Sequence, residues 1–150
     1  MKKSEKIATI MTDKLLTVDV SQSLTDVNLL FANNNIRHIP VVLGETLIGI
    51  ISQTDIMRMS FGNIFNEDED TTDDAIFKML SINQIMKKSP VTIKSTQTIR
   101  DAAKILAHHE FHALPVVDDG KLIGMVTTTD IIQYFLHVQH ESRDMTMAIL

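Results

Sequence analysis

The sequence predicts an α/β fold: a strand–helix–strand–strand–helix unit built twice, with the two copies packed as one pseudo-two-fold module. Three observations predict it. The first is a repeat held in one register. Ile39-Pro40-Val41-Val42 returns as Leu114-Pro115-Val116-Val117, Leu47-Ile48-Gly49 as Leu122-Ile123-Gly124, and Thr54-Asp55-Ile56 as Thr129-Asp130-Ile131, each 75 residues later. Met11 and Met86, Thr17 and Thr92, and Asp26 and Asp101 keep that spacing without a gap. The second is that strand-like and helix-like apolar periods alternate within each copy. The third is size: a unit of about 50 residues is marginal alone, so two copies docked by their apolar sheet faces would share one core.

Taken in order, Leu16 to Val20 reads as a short strand. Ser23 and Asp26 have the spacing of a capping box that opens a helix. Leu24, Val27, Leu30 and Phe31 then form an apolar stripe on it, and Asn33-Asn34-Asn35 ends it. Ile39 to Leu43 and Leu47 to Ser52 form a hairpin across Gly44-Glu45, and a second helix starts near Thr54. The second copy repeats the pattern, with Ile99, Ala102, Ala103 and Leu106 as the helix stripe. Asp119-Gly120 tolerates the positive φ that a tight hairpin needs. Pro40 and Pro115 fall at strand starts, where a missing N–H does least harm. The division that follows is 1–62 for the first repeat, 63–79 for an acidic loop and linker helix, 80–136 for the second repeat and 137–150 for a C-terminal tail. Within it, 61–74 reads as the inter-repeat loop and 75–86 as a helix leading into the second copy.

Composition narrows the function. Of 150 residues, 44% are hydrophobic and 22% charged, the balance of a soluble globular protein. The net charge of −5 is not that of a nucleic-acid binder, which carries a basic face. Glu67, Asp68, Glu69, Asp70, Asp73 and Asp74 account for the excess, so the remainder is close to neutral. That run lacks the alternating ligands and glycine of a calcium loop. The absence of cysteine excludes a disulfide scaffold and a thiolate metal site, and fits a reducing compartment. No signal-peptide pattern opens the chain and no apolar run reaches membrane-spanning length, so the expected location is cytoplasmic, with no membrane and no nucleic acid as partner.

The sharpest motif is Gly-x-x-Ser/Thr-x-x-Asp, present as Gly49…Ser52…Asp55 and Gly124…Thr127…Asp130. A strand ends at the hydroxyl and a helix begins, offering free N–H groups and a positive dipole end to a phosphate. The hydroxyl can donate to the same anion, and the aspartate can accept from a ribose diol. The glycine lets another backbone or a ligand approach the strand. Ordinary helix capping has the same Ser/Thr-x-x-Asp spacing; its recurrence after an in-strand glycine in both copies favours a ligand role.

This order of motifs, with Met-Thr near the start, a Thr-Val strand, Arg37-His38-Ile39-Pro40-Val41-Val42 and Gly49-Ile50-Ile51-Ser52-Gln53-Thr54-Asp55-Ile56, resembles the CBS domain family, named after cystathionine β-synthase. The resemblance covers about residues 5–62 and 80–136. It implies tandem CBS-type βαββα repeats with two symmetry-related clefts that take AMP, ADP, ATP or S-adenosylmethionine. It places Asp55 and Asp130 on the ribose, Ser52 and Thr127 on phosphate or ribose, and Thr17 and Thr92 against the adenine. Arg37, His38, Ile39, Pro40 and Thr54 in one copy, and His112, Ala113, Leu114, Pro115 and Thr129 in the other, would line the remaining cleft wall; because the copies interlock, the sequence does not assign Arg37 to one cleft or the other. The resemblance thus implies a regulatory sensor of an adenine nucleotide, pairing into a homodimer and acting on a protein target, with no required cofactor. The alternative is a structural module that dimerises or docks a partner with empty clefts.

The copies are unequal. Arg37-His38 in the first stands where His112-Ala113 stands in the second. A guanidinium binds phosphate bidentately and keeps its charge, so phosphate binding is expected to be lopsided. His108, His109, His112, His137 and His140 lack the His-Glu-x-x-His order of a zinc helix, so no metal site is expected. No nucleophile elbow or P-loop occurs and no enzyme activity is expected. Nine methionines read as gap-fillers among aliphatic side chains.

Overall fold

The structure is a computed structural model that describes residues 5–61 and 77–149, with side chains described to residue 59 and from 77 to 141. The acidic run and most of the expected inter-repeat loop lie outside the described residues. The chain forms two compact units: Leu16–Pro90, and Met1–Leu15 together with Val91–Leu150.

The Leu16–Pro90 unit contains a four-stranded sheet in the order β1 (Val18–Asp19), β2 (His38–Leu43), β3 (Thr46–Ser52), β4 (Lys87–Lys88). β1 runs parallel to β2, and β3 is antiparallel to both β2 and β4. Between β1 and β2 runs α1 (Leu24–Asn33), opened by the capping box of Ser23 and Asp26. The predicted stripe is its inner face: Leu24, Val27 and Phe31 are buried, and Leu30 packs against them. Gly44 turns the hairpin with φ +64°. After β3 the chain enters α2 (Gln53–Phe61) directly.

The sequence predicts one helix over 75–86. From residue 77, the described chain is helical over 77–79, breaks at Leu80–Ser81, and restarts as α3 (Ile82–Ile85). Ser81 is the reason. Its hydroxyl accepts from the Gln84 N–H (3.3 Å), while Gln84 Oε1 accepts from the Ser81 N–H (2.8 Å). That second capping box competes with an unbroken helix.

The other unit has the same plan. β5 (Ala113–Asp118) and β6 (Lys121–Thr127) form the hairpin, and α4 (Ile99–Ala107) starts at the capping box of Thr98 and Asp101. The expected first strand of this copy is reduced to a parallel bridge, Ile93 to Val116, the exact counterpart by register of Val18 to Val41. Its far edge is Thr12, bonded both ways to Met125 at 2.9 Å, where β4 holds the matching place beside Ile50. Each sheet therefore takes its outer edge from the segment that precedes the other copy in sequence. Ile7 and Ile82, at matching positions of those segments, are completely buried. The expected tail is helical: α5 runs from Thr128 to Ile149.

Pro40 and Pro115 sit where they cost no ladder bond. The Pro115 carbonyl accepts from the Ile93 N–H, so its nitrogen faces the sheet edge where the first strand is only beginning. The methionines divide. Met86 and Met125 are buried, whereas Met57 and Met79 are largely exposed and fill no gap in the core.

The in-strand glycines have a packing cause. A Cβ on Gly49 would strike the Met86 side chain, with Cγ at 2.9 Å, and the Lys87 carbonyl at 3.1 Å. A Cβ on Gly124 would meet Met11 Sδ at 2.7 Å and the Thr12 carbonyl at 3.0 Å. We predict that Gly49→Ala and Gly124→Ala each destabilise by about 1–3 kcal/mol through overpacking. Thermal unfolding should show a fall of roughly 2–4 °C per kcal/mol.

Acid should also weaken the fold. The Ser95 hydroxyl and amide both donate to Asp118, and the Thr98 amide and hydroxyl contact Asp101, holding both carboxyls below the usual aspartate range. A carboxyl with a lowered folded pKa contributes stability above its unfolded value, about 3.9, that is lost as pH falls through the folded value. Melting temperature should therefore drop below about pH 4, and Asp118→Asn should flatten that drop; an unchanged acid profile would refute the Asp118 contribution.

Candidate functional site

In the Leu16–Pro90 unit, the predicted residues gather at one end of the sheet. Ser52 closes β3, pairs with His38 across the hairpin and caps α2. The Asp55 N–H donates to Ser52 Oγ (3.1 Å), and Asp55 Oδ2 accepts from the Ser52 N–H (2.9 Å). The Gln53 N–H donates to the Arg37 carbonyl (2.8 Å), which brings Arg37 beside the first residue of the helix. Thr17 immediately precedes Val18, whose strand partner is Val41, and so falls beside Pro40. Thr17, Arg37 and Thr54 are exposed, while His38 and Asp55 are half-buried.

The Val91–Leu150 portion of the other unit builds the same arrangement. The Asp130 N–H donates to Thr127 Oγ1 (3.2 Å), and Asp130 Oδ2 accepts from the Thr127 N–H (2.9 Å). The Thr128 N–H donates to the His112 carbonyl (2.9 Å). Ala113 pairs with Thr127. Thr92, His112 and Thr129 are exposed.

Not every predicted residue offers its side chain. Ile39 and Leu114 are 0% exposed and belong to the two cores. Pro40, Ala113 and Pro115 are also buried. Ile39 and Leu114 therefore offer a ligand their main chain and not their side chains. The two aspartates are already engaged as helix caps, each through Oδ2, and Oδ1 has no hydrogen bond among the described residues. One oxygen thus orders the helix start while the other remains an acceptor.

α4 ends at Ala107, so His108 and His112 do not share a helix face. Among the described residues no three His, Asp or Glu side chains converge on a point that could hold a metal ion, and no helix is long and apolar enough to cross a membrane. A depression of about 610 Å³ does open at the β5–β6 turn, lined by Thr92, Lys94, Gln97, Asp118 and Asp119 among others. It shares only Thr92 with the predicted set and lies at the opposite end of the hairpin from Asp130. Nothing in the sequence spacing marks it, because its lining comes from two turns.

The family profile of the CBS domain matches residues 7–62 and again 82–137. The chain belongs to the CBS domain family. A CBS domain-containing protein of Dictyostelium discoideum is 33% identical over 132 residues, covering 86% of this chain and 90% of that protein. The chloroplastic CBS domain-containing protein CBSX2 of Arabidopsis thaliana is 28% identical, covering 88% of this chain and 63% of its own length. The inosine-5'-monophosphate dehydrogenase of Korarchaeum cryptofilum is 30% identical, but the match covers only 21% of that enzyme. The CBS pair here therefore spans from about a fifth to most of the relatives it matches. A crystal structure of CBSX2 in complex with AMP superposes with a TM-score of 0.74 at 27% identity, over 90% of this chain and 98% of that one.

The cap geometry makes a direct prediction. Asp55→Ala and Asp130→Ala should each cost about 1 kcal/mol by removing the reciprocal cap bond. Asn at either position keeps an acceptor oxygen and should cost less, as measured by urea unfolding.

Proposed function

We propose that this CBS pair is a regulatory sensor that binds an adenosine nucleotide of the AMP, ADP or ATP class at the strand-to-helix corners of its repeats, and is not itself catalytic. The observation that carries the reading is the carboxylate oxygen left outside each cap, beside an open helix N-terminus. The helix start suits a phosphate, and the remaining oxygen of Asp55 or Asp130 suits a ribose diol. Ser52 and Thr127 would add hydroxyl contacts. Thr17 and Thr92 would flank the base, together with main-chain groups of Ile39, Pro40, Leu114 and Pro115. The AMP complex of CBSX2 supports the choice of adenosine. S-adenosylmethionine is the competing ligand of the same chemical type.

A second reading has its own observation. On α5, Ile132, Phe135 and Leu136 are 54%, 46% and 62% exposed at helical spacing. A contiguous apolar stripe of this kind favours docking of a second copy or a protein target, with or without a nucleotide.

A thermal-shift screen tests the first reading. At 100 times its dissociation constant a ligand should add about 2.7 kcal/mol of stability. The Asp55→Asn and Asp130→Asn variants should fold with their caps largely kept and lose that shift. If AMP, ADP, ATP and S-adenosylmethionine all leave the melting curve unmoved, the sensor reading fails and the docking reading stands.

A further inference from the structure

We propose that Met11 is an oxidation site: a hydroperoxide converts its thioether to the sulfoxide, and the segment from Glu5 to Thr12 then loosens from the sheet edge that it completes. No nucleotide at either corner is needed for this.

The segment is tied to its unit at both ends. The Tyr134 hydroxyl on α5 donates to the Glu5 carboxylate. The Ile99 N–H at the start of α4 donates to the Glu5 carbonyl (2.9 Å), and the Ile7 N–H donates to the Gln97 carbonyl (2.9 Å). Ile7 is completely buried. At the far end Thr12 exchanges both backbone bonds with Met125 of β6. Between these ties Met11 lies against Gly124, where an added Cβ would come within 2.7 Å of its sulfur and 3.2 Å of its Cγ. The thioether therefore rests on bare backbone, with no side chain beneath it to give way.

Exposure singles out Met11 among the described methionines. The chain has no cysteine, so thioethers are its only sulfur groups and the ones a hydroperoxide attacks. Met57 and Met79 are largely exposed, and oxygen added to them meets solvent and disturbs no core. Met86 and Met125 are buried and shielded from attack. Met11 is half-buried and packs against the core of its unit, so access and consequence coincide there. Met59 is half-buried too, but it lies on α2 and completes no sheet edge. Met86, 75 residues after Met11, makes the matching contact with Gly49 but is covered. The sensitive joint thus belongs to one unit and not the other.

The step is a two-electron oxygen transfer. A sulfur lone pair attacks one oxygen of the hydroperoxide; an S–O bond forms and the O–O bond breaks. The departing oxygen takes the proton of the transferred one and leaves as water from hydrogen peroxide, or as an alcohol from an alkyl hydroperoxide. Sulfur is oxidised and the peroxide reduced. The product is a polar, chiral side chain in place of a flexible apolar one. Keeping it against Gly124 would part-bury a polar S=O among apolar neighbours, which favours lifting the segment. Lifting releases the Thr12 bonds and opens the outer edge of β6.

Graded hydrogen peroxide applied to the full chain tests this, read by peptide mass spectrometry for each methionine, by hydrogen exchange and by thermal unfolding. Met57 and Met79 should oxidise first, without change in melting. Met11 should follow, ahead of Met86 and Met125. Its oxidation should raise exchange at the Thr12 and Met125 amides by roughly one to two orders of magnitude and lower the melting temperature by several degrees. Met11→Leu, a volume-conserving change, should suppress both effects, whereas Met57→Leu should not. Without peroxide, Met11→Gln should imitate the sulfoxide and raise exchange at the same two amides. The assignment is overturned if Met11 becomes oxidised while those amides stay protected, or if it oxidises no sooner than Met86. It is equally overturned if Met11→Leu loosens under peroxide as much as wild type, or if Met11→Gln leaves the amides protected.

Discussion

The close approach at Gly49 and Gly124 is the constraint on which the rest of the structure depends. Each glycine sits in the inner strand of a hairpin, and the chain from the other copy's leading segment lies against it with a methionine and a carbonyl. That contact is what allows Lys87–Lys88 and Thr12 to complete their sheets as outer edges. A side chain at either glycine would push the edge away and expose Ile82 or Ile7, which anchor those segments. The thioether suits the place because it is unbranched and adapts to an irregular gap. The repeats are consequently not separable at the boundaries that sequence similarity draws. Cutting between Leu15 and Leu16 would remove an edge from the unit that holds the second copy.

A second device, the reciprocal cap, recurs throughout. Ser23 with Asp26, Ser52 with Asp55, Ser81 with Gln84, Thr98 with Asp101 and Thr127 with Asp130 all exchange the same pair of bonds. Each satisfies helix N–H groups that would otherwise lack a partner. Three of the five have no bearing on the candidate sites, so Ser/Thr-x-x-Asp alone does not single out a ligand corner. What distinguishes Asp55 and Asp130 is position: their helices start directly from the end of an inner strand, beside the opening residues of its neighbour.

That difference explains how much was legible in the sequence. The hairpins and the stripes of α1 and α4 were readable because each rests on a local period of apolar residues and a turn with a positive φ. Leu24, Val27, Ile99, Ala102 and Leu106 are buried as their spacing implies. The outer edges were not readable, because Thr12 and Lys87 join strands far away in sequence through one or two residues each, too few to leave a period. The break at Ser81 was hidden because apolar residues at Ile76, Met79, Leu80 and Ile85 keep helix-like spacing on both sides of it. The candidate corners were half legible: the hydroxyl and carboxylate positions could be marked, but not that one carboxylate oxygen is committed to the cap. Nor could spacing show that Ile39 and Leu114 turn their side chains into the cores.

The commitment of one oxygen has a consequence for recognition. A free aspartate loses rotamer freedom when it grips a ligand, and that loss subtracts from affinity. Asp55 and Asp130 lose it on folding, when the cap forms, so the second oxygen is held in place before any ligand arrives. The helix N–H groups and the hydroxyl are fixed by the same bonds. Preorganisation of this kind is shared equally by both repeats, because both caps have the same geometry within 0.1 Å. On the proposed nucleotide reading, any difference in what the two corners would hold comes from residues outside the cap, and Arg37-His38 against His112-Ala113 is a difference in charge next to the helix starts.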